Sequence, residues 1–553
     1  MTRLFVTLVI LLLCVSVVIG CGTPSPAKPT TPTTPATTAK PAVPTTPTAP
    51  AATTKPVATT APTTTTPAKP AASGTPIYGG KVTVIDPSSP GCPLGLPWQC
   101  RQPYVGVQLC NEALIGSLKD GTITPKLAES WEINSDPKNP SYTFRLRKGV
   151  KFHDGTDFNA QAFVWNFKKY TEGGMLSVVR YIKSYDILDD YTLRMPLTMW
   201  RNTILPAFLM APIVSPTAFD KNGEEGTRWN TVGTGPYKQA DFARDVSFRA
   251  VRNENYWDKG KPYLFEVEYL SVPEELTRLA LFKSGKGDIM NLNKNGRVAA
   301  ELQAQGNQII TQMSGTMSLM PDSANATSPW SNLKARQAAE YAIDKEQIAK
   351  ALGFGFGKAA YQWYPEGTMP YNPVLPGRKY DPAKAKQLLS EAGFPNGFKT
   401  KIIAQSTENR DVVVSIQSYL KAVGIDTDLD FPEPAKYTSY TLGTWENALL
   451  CTTMQTGAQP TQGIAFTATP RTQFKGNLSP PNWMPMYDKI MTTPTLDQNV
   501  LWEGFKAIYD DVMIIPVMYV YDMFQVSKKL QDHGIGTRQA STTWNTQEAW
   551  LSK

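Results

Sequence analysis

From Gly22 to Ala72 the chain is almost wholly Thr, Pro, Ala and Lys, as in TPTTPATTAKPAVPTTPTAP, and it holds no aromatic residue there. Such a stretch buries too little apolar surface to offset its ordering entropy, so it is expected to stay disordered and partly polyproline-like. It spans roughly 40 Å as a coil and more than about 100 Å when extended. That is a tether, suited to crossing a cell-wall layer and to O-glycosylation, and the folding of this 553-residue chain must come from the residues C-terminal to it.

The body is large enough for two or three domains, and 41% hydrophobic and 10% aromatic residues supply its cores. The formal charge of +8 is unevenly placed. Residues 1–77 carry Arg3, Lys28, Lys40, Lys55 and Lys69 and no acid, which leaves 50 basic against 47 acidic residues, or +3, for the rest. A body so close to neutral gives no electrostatic footprint for nucleic acid, and no nucleic-acid partner is expected.

The N-terminus MTRLFVTLVILLLCVSVVIGC places one positive charge, Arg3, before an apolar run from Leu4 to Ile19 and a small residue, Gly20. The run is short for a membrane span and ends without a stop-transfer charge cluster, so residues 1–20 are expected to be a secretory signal peptide. Val18-Ile19-Gly20-Cys21 resembles the lipobox of bacterial lipoproteins, in which the cysteine is acylated after cleavage. That resemblance implies a lipid anchor at Cys21, with residues 21–77 as lipidated cysteine and linker, on the extracytoplasmic face of a bacterial cell membrane, periplasmic or cell-wall side. Each buried methylene of the acyl chains contributes about 0.8 kcal/mol to anchoring. In the mature body Cys92, Cys100, Cys110 and Cys451 remain. Four cysteines allow three connectivities, and the close spacing of Cys92 and Cys100 favours that pair. No CxxC pair is present, so a zinc ribbon or thioredoxin-like site is unsupported.

The body reads as alternating α and β structure. KVTVID after Gly79-Gly80 has the alternation of a strand, and QLCNEALIGSLKDG, ending at Gly121, reads as a helix. In YTFRLRKGVKFHDG, Tyr142, Phe144 and Leu146 alternate with Thr143, Arg145 and Arg147, the pattern of a strand with one buried face. Asn159 is placed to cap a helix that turns Phe163, Val164 and Phe167 inward. The chain has two histidines, His153 and His533. No GxSxG elbow or HExxH helix accompanies them. Asp189-Asp190 and Asp510-Asp511 are adjacent, so on a strand their carboxylates would face opposite sides and serve no shared substrate. A secreted hydrolase, the reading from another class, thus has no catalytic set to rest on. GFGFGK at Gly353 to Lys358 follows a helix, whereas a phosphate cradle opens one, and it reads as a helix C-cap and loop.

LAESW followed by YTFRLRKGVKFHDGTDF and a helix resembles the signature of the extracellular solute-binding proteins of ABC importers in the peptide, oligopeptide and nickel family. VGTGPYKQADF, NENYWDKGKPYL, GKGDI, LKARQAAEYAIDKEQIAKAL, YDPAKAKQLLSEAGFPNGF and IIPVMYVYD come next in the family's order and span nearly the whole body. The resemblance implies an α/β, two-lobed periplasmic-binding-protein fold of the large three-subdomain type with a two-strand hinge, preceded by the disordered tether. Lobe one would take residues 78–115, 213–290 and 514–553, its extra subdomain 116–212 and lobe two 291–513, with crossings near Met290 to Asn293 and Met513 to Pro516. His153-Asp154-Gly155 would be a scaffold turn.

The implied function is binding without chemistry. A monomer closes over a peptide or related small solute and delivers it to the membrane permease subunits of an ABC importer, with no cofactor and no metal site of its own. A sugar-like or chelated-metal solute on the same fold is the alternative, and a sensor or chaperone role in place of import a further one. Peptide-binding members hold the ligand's ammonium with an aspartate before a proline in a lobe-two loop. Here GTWENALLCTTMQTGAQP puts Gln459 before Pro460, and an amide carries no charge to offer. Glu446 is the candidate substitute. Trp363, Tyr364, Trp445, Trp483 and Tyr487 fall in lobe-two segments where they would stack on a ligand.

Overall fold

The computed structural model describes residues 74–553 except 90, 101–104, 118–121, 175, 407, 457–459, 468–472, 482, 495 and 537–543. Cys21, the signal peptide, most of the linker and Gln459 lie outside the described residues.

Lobe one opens with β1 (Lys81–Asp86). The chain then builds the extra subdomain from β2 (Ile115–Ser117), β3 (Ile123–Pro125), β4 (Ala128–Asn134), β5 (Ser141–Leu146), α1 (Ala160–Gly173), β6 (Asp186–Asp189), β7 (Thr192–Pro196) and the single-turn α2 (Ile204–Ala207). It continues through α3 (Pro216–Thr227), β8 (Tyr237–Ala243), β9 (Ser247–Arg252), β10 (Glu266–Ser271), α4 (Glu275–Lys283), β11 (Ile289–Asn293) and α5 (Gly296–Ala304). β12 (Ile309–Pro321) leads into lobe two, with α6 (Leu333–Ala342), α7 (Lys345–Leu352), β13 (Lys358–Ala359), α8 (Pro382–Glu391), β14 (Phe398–Ala404), α9 (Arg410–Ala422), β15 (Ile425–Asp430), α10 (Pro434–Leu442), β16 (Ala448–Gln455), α11 (Pro460–Thr467), α12 (Trp483–Thr492) and α13 (Gln498–Asp510). β17 (Ile515–Val526) runs back, and β18 (Leu530–Gln531) pairs with β19 (Trp550–Leu551) near the C-terminus.

One sheet serves both lobes, in the order β15-β14-β16-β12-β17-β11-β1-β10-β9-β8, with β13 paired to β17. β12 and β17, antiparallel, lie at its centre. The first residues of β12, Ile309 to Gln312, pair with Gln525 to Asp522, while Met523 to Val526 of β17 pair with β11 of lobe one. From Gly315 onward β12 pairs with β16 of lobe two. The register slips between Met313 and Gly315, and such a bulge adds local twist where the sheet passes between lobes. β12 and β17 thus run through the middle of the sheet and link its two halves. The first half of β17, with Ile515, Val517 and Met518, packs in the lobe-two core, and Phe524 in that of lobe one.

The extra subdomain has its own sheet, β4-β5-β7-β6. Tyr142, Phe144 and Leu146 of β5 are buried in its core. Asn159 Oδ1 accepts from the Ala162 N–H at 3.0 Å and starts α1, which turns Phe163, Val164 and Phe167 into the same core and ends on Gly174, whose φ of 66° suits a residue without Cβ. Residues 108–117, the described part of the expected helix, are not helical in the α sense. A short 3-10 turn at Val105–Leu109 and strand β2 stand there instead, and between them Glu112 enters a buried polar hub. Tyr256 Oη and Trp257 Nε1 each donate to its carboxylate at 2.8 Å, and Thr234 Oγ1 at 3.1 Å. Among the described residues no helix is long and apolar enough to cross a membrane.

Candidate functional site

Two of the places where the lobes meet bear on a site between them. The first is the floor made by the crossing strands. Asp86 ends β1 with its carboxylate buried and accepting from Asn291 Nδ2 at 3.0 Å. Asp522, in the crossing segment of β17, lies close enough to feel it: burial raises the Asp522 carboxyl above the usual carboxylate range, Lys294 opposes this, a hydrogen bond with Ser314 opposes it further, and Asp86 adds to it. Two carboxylates and one ammonium thus share the seam. No local pattern marks any of the three, because β1, β11 and β17 are distant in the chain and only their pairing brings the groups together.

The second meeting point joins the extra subdomain to lobe two. Arg201 Nη1 contacts Asp488 Oδ1 of α12 at 3.0 Å. The Asn202 N–H donates to Met491 O at 2.9 Å, and its Nδ2 donates to Ile490 O at 2.6 Å and Thr493 O at 3.2 Å.

The aromatic candidates of lobe two are brought together, largely away from solvent. Trp363, Tyr364, Trp445 and Trp483 are all buried in one cluster with Phe505. Trp363 and Tyr364 lie 5.5 Å apart by ring centroids. Tyr519 Oη donates to the carbonyls of Gln362 and Tyr364, each at 3.0 Å, and Thr316 Oγ1 to that of Trp363 at 2.6 Å, so both crossing strands hold this wall. Among the described residues Trp363 Nε1 and Tyr364 Oη have no hydrogen-bond partner, although a buried donor left alone costs roughly 1–3 kcal/mol. A Cβ on Gly463 of α11 would stand 2.8 Å from that Tyr364 oxygen. Trp445 Nε1 donates to Met320 O at 3.2 Å. Tyr487, half-buried on α12, differs from the others: burial, the largest influence, raises its hydroxyl pKa, and the fields of Tyr181, Arg201 and Arg180 from the extra subdomain and of Asp488 reach it as well. Glu446 is exposed and precedes β16, about 30 Å of strand away from the loop after Gln455. Cys92 and Cys100 form a disulfide with their Cα atoms 5.7 Å apart, while Cys110 and Cys451 are free and buried. Among the described residues no group of His, Cys, Asp and Glu is arranged to hold a metal ion.

His153 sits in scaffold. Its Nδ1 accepts from the Gly233 N–H at 3.4 Å and its Nε2 faces Gly235 O at 3.0 Å, which makes it a neutral imidazole with Nε2 protonated. Asp154 is engaged by Thr156 and by Ser215 Oγ at 2.6 Å and does not orient the ring. Burial, the largest influence, lowers the His153 pKa to about 4. Between about pH 6.5 and 4 the unfolded chain therefore binds a proton that the folded chain refuses. The stabilisation is complete above pH 6.5 and is lost as the pH falls to 4, by on the order of 3 kcal/mol. Melting temperature followed from pH 7.5 to 4 should fall through this window in the wild type and less steeply in His153→Gln; equal slopes would rule the assignment out.

Residues 122–472 match the family described as bacterial extracellular solute-binding proteins, family 5 Middle. The chain is 35% identical to the heme-binding protein A of Haemophilus influenzae over 305 residues, which are 50% of this chain and 55% of that protein. It is 30% identical to the glutathione-binding protein GsiB of Pectobacterium atrosepticum over 342 residues, 57% of this chain and 62% of the relative. The matches thus span little more than half the length of these relatives. In fold it is similar to the periplasmic binding protein DppA of Helicobacter pylori in complex with the peptide STSA, with a TM-score of 0.73 and 24% identity, covering 86% of this chain and 99% of the other. NikA of Brucella suis in complex with Fe(III)-EDTA has the same TM-score of 0.73 at 21% identity, covering 85% and 97%.

Proposed function

The chain belongs to family 5 of the bacterial extracellular solute-binding proteins, and from that premise we propose that it captures a short peptide between its lobes and presents it to the permease of an ABC importer. The observation that carries this reading is the architecture of the seam. Two bodies share the strands β12 and β17 and touch again at Asn202 and α12, an arrangement that suits opening and shutting as a hinge. A solute that binds the shut form better shifts the equilibrium toward it. Tyr487 is the aromatic proposed to meet the solute directly. Trp363, Tyr364, Trp445 and Trp483 form the rigid, buried core behind it. The protein acts as a lipid-anchored monomer held by Cys21 at the extracytoplasmic face of the membrane, and it performs no chemistry.

Melting of the protein against short peptides including glutathione, heme, oligosaccharides and chelated nickel or iron tests the solute class. A ligand present at a hundred times its dissociation constant and bound only by the native state adds about 2.7 kcal/mol. A rise with peptides is expected. A rise confined to sugars or to a chelate would replace the peptide reading, and turnover of any of them would overturn the claim that binding is all it does.

A further inference from the structure

The extra subdomain carries its own sheet and core, and the seam shows what it does for the rest of the molecule. Helix α12 ends at Thr492, and the carbonyls of the last turn of a helix lack partners within it. Three carbonyls at that end, those of Ile490, Met491 and Thr493, accept hydrogen bonds from one residue of the other lobe, Asn202, through its N–H and its side-chain amide. The end of α12 is thus capped by a residue from a separate body. The capping loop is held rigidly from its own side: Trp200, one turn before α2, is buried and stacks on Tyr142 of β5 with ring centroids 5.4 Å apart, and Ile204 is buried in the same core. Next to the cap, Arg201 is mostly buried, with 14% side-chain exposure, and reaches Asp488 on the outer turn of α12. A preformed loop pairs with a helix end that has matching acceptors and a carboxylate, and the pair exists only when the lobes are together.

We propose that Asn202 and Arg201 are positioning residues that latch the extra subdomain onto α12, so that the shut form of this protein is held by contacts independent of any solute. The inference rests on the reading of the chain as a two-lobed solute-binding protein, but it concerns the latch alone. Opening the lobes exposes the α12 carbonyls and separates Arg201 from Asp488. Closure restores both. The latch therefore sets how much of the protein is already shut before a solute arrives, and with it the apparent affinity, which scales with the competent fraction.

Spin labels at Lys168→Cys on α1 and Gln498→Cys on α13, both exposed positions, report the distance between the two bodies by pulsed dipolar spectroscopy with no solute added. Cys110 and Cys451 are buried and stay unlabelled. The labelled protein is expected to show a dominant short-distance population. Asn202→Ala should lower the ratio of short to long distances roughly fivefold, as loss of about one net hydrogen bond would. Arg201→Asp should do likewise, and Arg201→Asp with Asp488→Arg should restore the short population. An unchanged distribution in both single variants, or a charge swap that melts like the wild type yet leaves the Arg201→Asp distribution shifted, overturns the latch. A variant that merely unfolds the subdomain is recognised by a lowered melting temperature and is not rescued by the swap. Because no solute enters this measurement, a failed peptide screen leaves its outcome untouched.

Discussion

Replacing Glu340 by glutamine is expected to destabilise lobe two by about 3–5 kcal/mol, the usual result of removing one partner from a buried ionic group. Glu340 is 1% exposed and stands between two cations: Lys345 Nζ lies 3.5 Å from Oε1, and Arg378 Nη1 is bonded to Oε2. Lys345 is itself 1% exposed, and burial lowers its pKa, with Glu340 the group that opposes the shift. Arg378 lies 3.9 Å from the centroid of the Tyr509 ring and donates to the Tyr509 carbonyl at 3.1 Å, so neither cation can withdraw to water without breaking other contacts. Glutamine keeps the shape and deletes the charge, leaving two buried positive groups facing an amide. Chemical denaturation followed by tryptophan fluorescence should show the midpoint displaced. The triple change Glu340→Met, Lys345→Met, Arg378→Met should recover most of the loss, because an apolar group of similar volume removes the desolvation cost of all three charges. A midpoint unchanged in Glu340→Gln would mean that water reaches the triad.

Gly315→Val is expected to cost about 3 kcal/mol and to weaken solute capture as well as stability. Gly315 sits where β12 leaves lobe one, at the step where its register slips, and a Cβ there would lie 2.3 Å from Met454 O and 2.9 Å from Thr453 Cγ2 of β16. The backbone has to part at that point, since the atom in the way is a main-chain oxygen, and overpacking of this kind costs about 1–3 kcal/mol or somewhat more. The strain falls between β12 and β16 at the crossing itself, so the angle between the lobes changes with it. Gly315→Val should lower the melting temperature and also shift the distance between labels at Lys168→Cys and Gln498→Cys; a lower melting temperature with the distances unmoved would show that the crossing tolerates the intrusion by local repacking.

Neither Glu340 nor Gly315 is legible from its neighbours in sequence. Nothing in the run LKARQAAEYAIDKEQIAKAL marks Glu340 as buried, since a carboxylate in a helix is ordinarily a solvated one. Its burial comes from α6 packing on α8 and from Arg378 arriving on a loop. Gly315 lies in a strand that reads as ordinary, and only the approach of β16 makes its missing Cβ necessary. His153 shows the reverse: a residue whose neighbours in sequence suggest chemistry is held by the Gly233 and Gly235 backbone, far along the chain.

Local patterns encode the elements and the family. Alternation of apolar and polar residues places Tyr142, Phe144 and Leu146 on the buried face of β5, an asparagine before an apolar run marks the start of α1, and collinear motifs along the body identify the family. These signals arise from periods of two and about 3.6 residues and from capping chemistry, all of which act over a few positions. Which distant groups meet is a matter of the assembled fold: Asp86 with Asp522 on the floor, the lobe-two tryptophans in a core instead of on a surface, and Asn202 at the end of α12, 288 residues away. Those meetings depend on the register of β12 against β17 and on the angle between two bodies, and no short stretch of sequence carries either.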